Sequence, residues 1–266
     1  LSHFSKDITQ EVALNRDVYG IGHEEEIENL VSVLGKISNK NALLIGEPGV
    51  GKSSLILGVA QRINTADVPI QLKGKRIVQL DINGLIAQAS GEKKIEELII
   101  KSMQELENAG NTILYIDEFQ ELIPAKAEES GQSIAGIMLP YIMNSKFPII
   151  GTINYADYKK YLYTNESLRQ SFTNIEVKEI STTDTLKILE TKVTELERNF
   201  SCFITFPALV ASVELAQRYI RDRKLPSSAV QTIEATCAWA QSNNIPKITS
   251  EHVSKAISIQ KNINIT

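Results

Sequence analysis

The chain has 266 residues, enough for about two domains at roughly 150 residues each. Its 28 basic and 32 acidic side chains leave a formal net charge of −4, which argues against a general nucleic-acid binder with its basic surplus. With 42% apolar and 23% charged residues, it has the composition of a chain that buries a core, which excludes intrinsic disorder.

Opening on Leu1 rather than Met, the chain reads as a piece of a longer protein, and residues 1–10 show no charged head before an apolar stretch, so no secretory signal is expected. Residues 24–38 read as a helix: Ile27, Leu30, Val31 and Leu34 fall at i, i+3, i+4, i+7, and Glu24 to Glu26 place negative charge at its N-terminus. The apolar run 42–45 stops at Gly46 and reads as a buried strand. Residues 53–63 are helical again, with Ile56, Val59, Ala60 and Ile63 on one face. A strand is expected at 76–82, a helix at 92–108, and further strands at 112–116, 147–152 and 174–177. Five short apolar strands alternating with amphipathic helices predict a parallel sheet covered on both faces.

Beyond about residue 179 the pattern changes. Leu186, Leu189, Val193 and Leu196 mark one helix face, and more helices are expected near 207–221, 227–242 and 249–260, with one short strand near 203–206. The expected division is an αβα domain at 1–178 and a helical domain at 179–266. No apolar run reaches the roughly 18 residues of a membrane span. Cys202 and Cys237 carry no CxxC spacing, so two buried thiols in a reducing compartment, the cytoplasm, are expected rather than a disulfide framework or zinc site.

One motif carries chemistry. Residues 46–53 read GEPGVGKS and match GxxxxGK[ST] at every fixed position, after an expected strand and before an expected helix. Glycines let backbone N–H groups turn inward around phosphate oxygens, and the helix N-terminus adds partial positive charge. Lys52 reaches the β- and γ-phosphates and the Ser53 hydroxyl ligates Mg²⁺, with Pro48, Gly49, Val50, Gly51 and Ser54 completing the cradle. Asp117 and Glu118 follow the apolar run 112–116, at the strand end where doubly wound sheets bind ligands. Asp117 is expected to hold Mg²⁺ through water and Glu118 to deprotonate the attacking water. Asn154, after the strand at 147–152, has two readings: a turn-forming residue or a side chain that positions that water. His3, His23 and His252 lack ligand spacing and are expected to be solvated or capping, and Trp239 to be core. The cluster Arg218, Arg221, Arg223, Lys224 is either a solvated face or a group that approaches phosphates.

These residues resemble a specific family. The segments HEEEIENL, GEPGVGKS and GVAQRI between residues 18 and 63 are similar to the first AAA+ module of Clp-type ATP-dependent unfoldases and disaggregases. So, in order, are FSKDIT, LKGKRIVQLDINGLIA, GNTILYIDE, DYKKYLYTNESL, DTLKIL and RYIRDRKLPSSAV, which together cover nearly the whole chain. The resemblance implies a P-loop NTPase fold, a five-stranded αβα sandwich with a small helical lid. It implies ATP or ADP with Mg²⁺ as cofactors, a homo- or hetero-oligomer such as a hexamer-like ring or filament, a protein substrate or partner, and no membrane segment or nucleic acid. By matching position it makes Asn154 the first sensor, and it puts adenine near Tyr19, Gly20 and Ile21, with Pro226 and Ala229 close by.

Three departures stand out. The family carries an Arg-Arg pair before a Phe after the sensor; here Gln170 and Ser171 occupy those positions, and Arg169, one residue earlier, is turned by about 100° on a helix. Such trans arginines are worth on the order of 10³–10⁵ in rate, so weak self-stimulated hydrolysis is expected. The family's pore aromatic has no counterpart in residues 87–92, and Ser227-Ser228 stands where the family favours Asp-Lys. Two functions follow: an ATPase motor module, favoured by the retained Glu118, or a nucleotide-gated scaffold that binds ATP and barely turns it over. A DNA remodeller is disfavoured by the acidic balance.

Overall fold

The computed structural model describes residues 4–14, 19–88, 92–123, 134–143, 146–163 and 165–263. Two compact units emerge. The first takes the residues up to Tyr19, Glu25–Gly46 and Ser53–Glu176; the second takes Gly20–Glu24, Glu47–Lys52 and everything from Val177. The chain is therefore not cut once: Gly20–Glu24, which run into the first long helix, and most of the glycine-rich loop group with the C-terminal unit.

In chain order the first part contains β1 (Ser5–Asp7), α1 (Ile8–Leu14), α2 (Glu24–Leu34), β2 (Ala42–Ile45), α3 (Lys52–Asn64), β3 (Arg76–Leu80), α4 (Ile82–Gln88) and α5 (Glu92–Ala109). Then come β4 (Thr112–Ile116), α6 (Ile134–Met143), β5 (Ile149–Ile153), α7 (Tyr155–Asp157), α8 (Glu166–Gln170) and β6 (Thr173–Glu176). Among the described residues the sheet order is β1-β3-β4-β5-β2-β6. The five strands from β3 to β6 run parallel, as the apolar runs predict. Every residue of β2, β4 and β5 is buried, because a parallel sheet is covered on both faces.

The sixth strand was not legible in the sequence. β1 pairs antiparallel with β3, Ser5 opposite Leu80 and Asp7 opposite Val78. Its three residues are polar and show no period. They are held by the Arg76–Asp7 ion pair at 2.8 Å and by the Thr9 hydroxyl, which accepts from the Ile77 N–H at 2.7 Å. Helix α2 ends at Leu34, before Gly35, four residues short of the expected boundary. Helix α6 was hidden by Pro140, which reads as a breaker yet sits inside the helix. Below the central strands, Phe119 packs edge-on against Phe172, ring centroids 5.2 Å apart. Gly151 in β5 makes room for it: a Cβ there would lie 2.9 Å from both Phe119 Cδ2 and Leu43 Cδ1.

The second unit continues with α9 (Thr182–Phe200), β7 (Phe203–Ile204), α10 (Phe206–Tyr219), α11 (Ser227–Ser242), β8 (Lys247–Ile248) and α12 (Ser250–Lys261). Ser181 caps α9 by accepting from the Asp184 N–H at 3.0 Å. Strands β7 and β8 pair in parallel over two residues each. The helices close on Leu189, Leu209, Val213, Ala229, Ile233, Cys237 and Val253. Trp239 is half-buried at the rim of that core rather than within it, its ring beside His252 and Lys255. Both cysteines are buried and unbridged.

Candidate functional site

The glycine-rich loop joins β2 to α3. Gly49 and Gly51 adopt φ of +86° and +106°, which side-chain-bearing residues rarely take. Other residues of the same unit pack closely on this path. The Lys224 N–H donates to the Pro48 carbonyl at 3.0 Å and the Ser227 N–H to the Gly49 carbonyl at 3.3 Å. A Cβ on Gly49 would meet Ser227 Cβ at 2.9 Å, and one on Gly51 would meet His23 Nε2 at 2.8 Å. His23 is 2% exposed and bonds the Val50 carbonyl through Nε2 at 2.8 Å. That corrects the expectation of a solvated or capping histidine; His252 does cap, pairing with Thr249 at the start of α12. Lys52 opens α3, its Nζ donating to the Glu47 carbonyl at 3.2 Å. Ser53 follows with its side chain exposed, and Ser54 is half-buried.

In the first unit, the β4–β5 register pairs Ile116 with Gly151, so Asp117 and Thr152 emerge side by side. Thr152 Oγ1 donates to Asp117 Oδ1 at 2.5 Å and accepts from the Glu118 N–H at 3.0 Å. The same N–H lies 3.2 Å from Asp117 Oδ1. Glu118 itself sits at φ +50°, ψ +57° with its side chain exposed. A non-glycine residue in the left-handed region at a strand end is strained backbone of the kind that collects at functional sites. Ser53, Gln79, Tyr115 and Asp117 help line a cavity of about 170 Å³. A second, of about 230 Å³, is lined by Asp81, Asn83, Asp117, Glu118 and Glu121. Burial, then the nearby Glu118 carboxylate, raises the Glu121 carboxyl above the ordinary glutamate range, while Asn83 donates to it at 2.8 Å.

Magnesium favours oxygen ligands and is usually held by one or two carboxylates plus substrate phosphates. The Ser53 hydroxyl and Asp117 carboxylate on one cavity are such a set. The Tyr115 hydroxyl, buried beside them, has no hydrogen-bond partner among the described residues.

Asn154 caps α7. Its Oδ1 accepts from the Asp157 N–H at 2.8 Å and its Nδ2 donates to Asp157 Oδ2 at 2.6 Å, so the turn-forming reading describes its observed bonds. Gly20, at φ +72°, accepts the His23 N–H at 3.0 Å. Gly20, Ile21, Pro226 and Ala229 belong to the second unit and Tyr19 to the first; Pro226 and Ala229 are buried. At the missing arginine pair, Gln170 Nε2 donates to Glu166 Oε1 at 2.9 Å and Ser171 Oγ to the Ser167 carbonyl at 2.7 Å. The Arg169 guanidinium lies over the Tyr163 ring at 5.5 Å. The pore-loop residues 89–91 lie outside the described residues. In the basic cluster, Lys224 pairs with Glu179 at 3.7 Å and Arg218 lies over Tyr219, while Arg221 and Arg223 are exposed. Among the described residues no helix is long and apolar enough to cross a membrane.

A parallel sheet, a glycine-rich loop opening a helix, and a carboxylate pair at the end of β4, one strand removed from the loop's own strand, define a P-loop nucleotide-binding module with a helical second unit. Residues 42–177 match the ATPase family associated with various cellular activities (AAA), and residues 181–264 match the AAA lid domain. The chain belongs to the AAA ATPase family. It is 35% identical over 238 residues to the chaperone protein ClpB of Wolinella succinogenes, covering 90% of this chain and 28% of that one. To a ClpA homologue of an ATP-dependent Clp protease from Guillardia theta it is 36% identical over 234 residues, 88% of this chain and 29% of that one. It superposes on the S. cerevisiae Hsp104–ADP complex with a TM-score of 0.90 and 30% identity, over 98% of this chain and 45% of Hsp104. The chain thus spans less than a third of the curated relatives it matches.

Proposed function

We propose that this module binds ATP with magnesium and hydrolyses it slowly when alone, acting as one AAA+ ring in a Clp-like protein-remodelling assembly. The observation that carries this is the pairing of Ser53, at the start of α3, with Asp117, at the end of β4, on one cavity. Backbone N–H groups of the loop and the α3 N-terminus cradle the phosphates, and Lys52 supplies positive charge to the β- and γ-oxygens. Ser53 and Asp117 would hold magnesium, which supplies charge neutralisation across the transferring phosphoryl. Glu118, presented by its left-handed backbone, takes the proton of the attacking water. For Asn154 to position that water, its bonds to Asp157 must open. We give adenine to Gly20 and Ile21 with Pro226 and Ala229, which share the second unit.

No Arg-Arg pair precedes Phe172, and Gln170 and Ser171 are tied to their own helix. Another subunit's arginine therefore completes the site, which favours a mixed ring or filament over a self-sufficient one. Two buried, unbridged thiols suit the cytoplasm. Binding of a fluorescent ATP analogue to the chain and to Lys52→Ala tests the core of this reading. Lys52→Ala weakens binding at least about tenfold, the loss of roughly one charge-assisted hydrogen bond; equal binding by the two proteins refutes it.

A further inference from the structure

Tyr115 stands two residues before Asp117 and so points to the same side of β4. It is 3% exposed. Its hydroxyl lies among the Ser53 hydroxyl, the Asp117 carboxylate and the Thr152 hydroxyl, yet makes no well-formed hydrogen bond to any protein group among the described residues. Neighbouring β4 residues Ile113, Leu114 and Ile116 are aliphatic and fully buried. A phenylalanine would fill the same space without burying an unsatisfied hydroxyl, whose desolvation is unfavourable. The oxygen is also the polar tip of a side chain lining the cavity that Ser53 and Asp117 share.

From this arrangement we infer that Tyr115 is a positioning residue for the divalent cation, its hydroxyl accepting a hydrogen bond from a metal-bound water and, once the metal is held, donating to Asp117. The inference rests on the Mg-nucleotide reading above. The chemistry fits each partner. A metal-bound water turns a lone pair to the metal and its polarised protons outward, so it acts chiefly as a donor and is best met by acceptors. Asp117 Oδ1 already receives the Thr152 proton, and a phenol supplies one further acceptor while keeping a proton to give. Tyr115 thereby extends the metal's shell without competing for a place on the metal itself.

The test is the Mg²⁺ dependence of nucleotide binding, read with a fluorescent, non-hydrolysable ATP analogue in EDTA and across a Mg²⁺ titration, in the parent chain and in Tyr115→Phe. The expected result is a loss of about threefold to tenfold in the factor by which Mg²⁺ tightens binding, the worth of one hydrogen bond. Alongside it, the thermal midpoint without nucleotide is unchanged or raised, since no protein hydrogen bond is lost. An unaltered Mg²⁺ factor in Tyr115→Phe overturns the inference and leaves the ATP reading standing. A lowered midpoint or unfolding of Tyr115→Phe also overturns it, by showing the hydroxyl to be structural. If the parent chain binds the analogue without regard to Mg²⁺, the metal reading itself fails.

Discussion

Thr152 is the hinge pin of the carboxylate pair, and its hydroxyl can be separated from its methyl. The side chain is 1% exposed. Its oxygen donates to Asp117 at 2.5 Å and accepts from the Glu118 N–H at 3.0 Å. A hydrogen bond to a charged group contributes about 1.5–3 kcal/mol. Thr152→Val removes it without leaving a void and strips the Glu118 N–H of its shorter bond, leaving the 3.2 Å contact with Asp117. The left-handed turn at Glu118 itself costs roughly 1–2 kcal/mol and loses its main restraint. Thr152→Val is therefore expected to destabilise the first unit by about 2–4 kcal/mol. Thr152→Ser keeps the hydroxyl and loses one buried methyl, about 1 kcal/mol. Urea unfolding followed by far-ultraviolet circular dichroism gives the ranking parent, Ser, Val. The lone Trp239 belongs to the second unit, so its fluorescence reports that unit separately. Packing alone predicts the opposite order, Val above Ser, and that order would refute the argument.

Gly151→Ala drives a Cβ to 2.9 Å from Leu43 and Phe119 and is expected to cost about 1–3 kcal/mol. Combining it with Phe119→Leu in a urea-unfolding cycle should lose less than the two single costs summed, since the smaller side chain relieves the clash. Glu121 has a folded pKa above its unfolded one. Its contribution is thus fully present below the ordinary glutamate range and lost as pH rises through the folded value. Glu121→Gln should therefore raise the thermal midpoint at neutral pH and leave it nearly unchanged near about pH 4. Restoring the arginines with Gln170→Arg/Ser171→Arg should raise ATP turnover per subunit, by up to on the order of 10³ where subunits associate, read by phosphate release. No rise at any protein concentration removes the arginine argument.

Most of the fold is legible where local pattern decides it. The runs at Ala42–Ile45 and Thr112–Ile116 are buried along their whole length, and Ser227–Ser242 begins and ends where its periodicity predicts. The loop 46–53 is legible because phosphate binding dictates glycines and a lysine at fixed spacing. What escaped depends on neighbours distant in sequence. β1 is an edge strand defined by its pairing with β3, not by its own polar residues. His23 looks like any surface histidine until the fold seats it against Val50 and Gly51. Thr152 matters because β4 and β5 adjoin in one register. Tyr115 left a faint signal, a phenol among aliphatic residues two positions before Asp117, but only the shared cavity with Ser53 gives it meaning. Asn154 shows the reverse: its sequence position suggests chemistry, and its observed bonds are those of a cap.

The central claim is that Lys52, Ser53, Asp117 and Glu118 form an ATP-hydrolysing site that lacks its trans arginine. Mg-ATP turnover per subunit, measured against protein concentration in the parent chain and in Glu118→Gln, tests it most directly. The account predicts slow turnover that stays nearly flat with concentration and disappears in Glu118→Gln, in protein that still binds ATP. Turnover that survives in Glu118→Gln contradicts the assigned base. Fast turnover that climbs steeply with concentration contradicts the missing arginine.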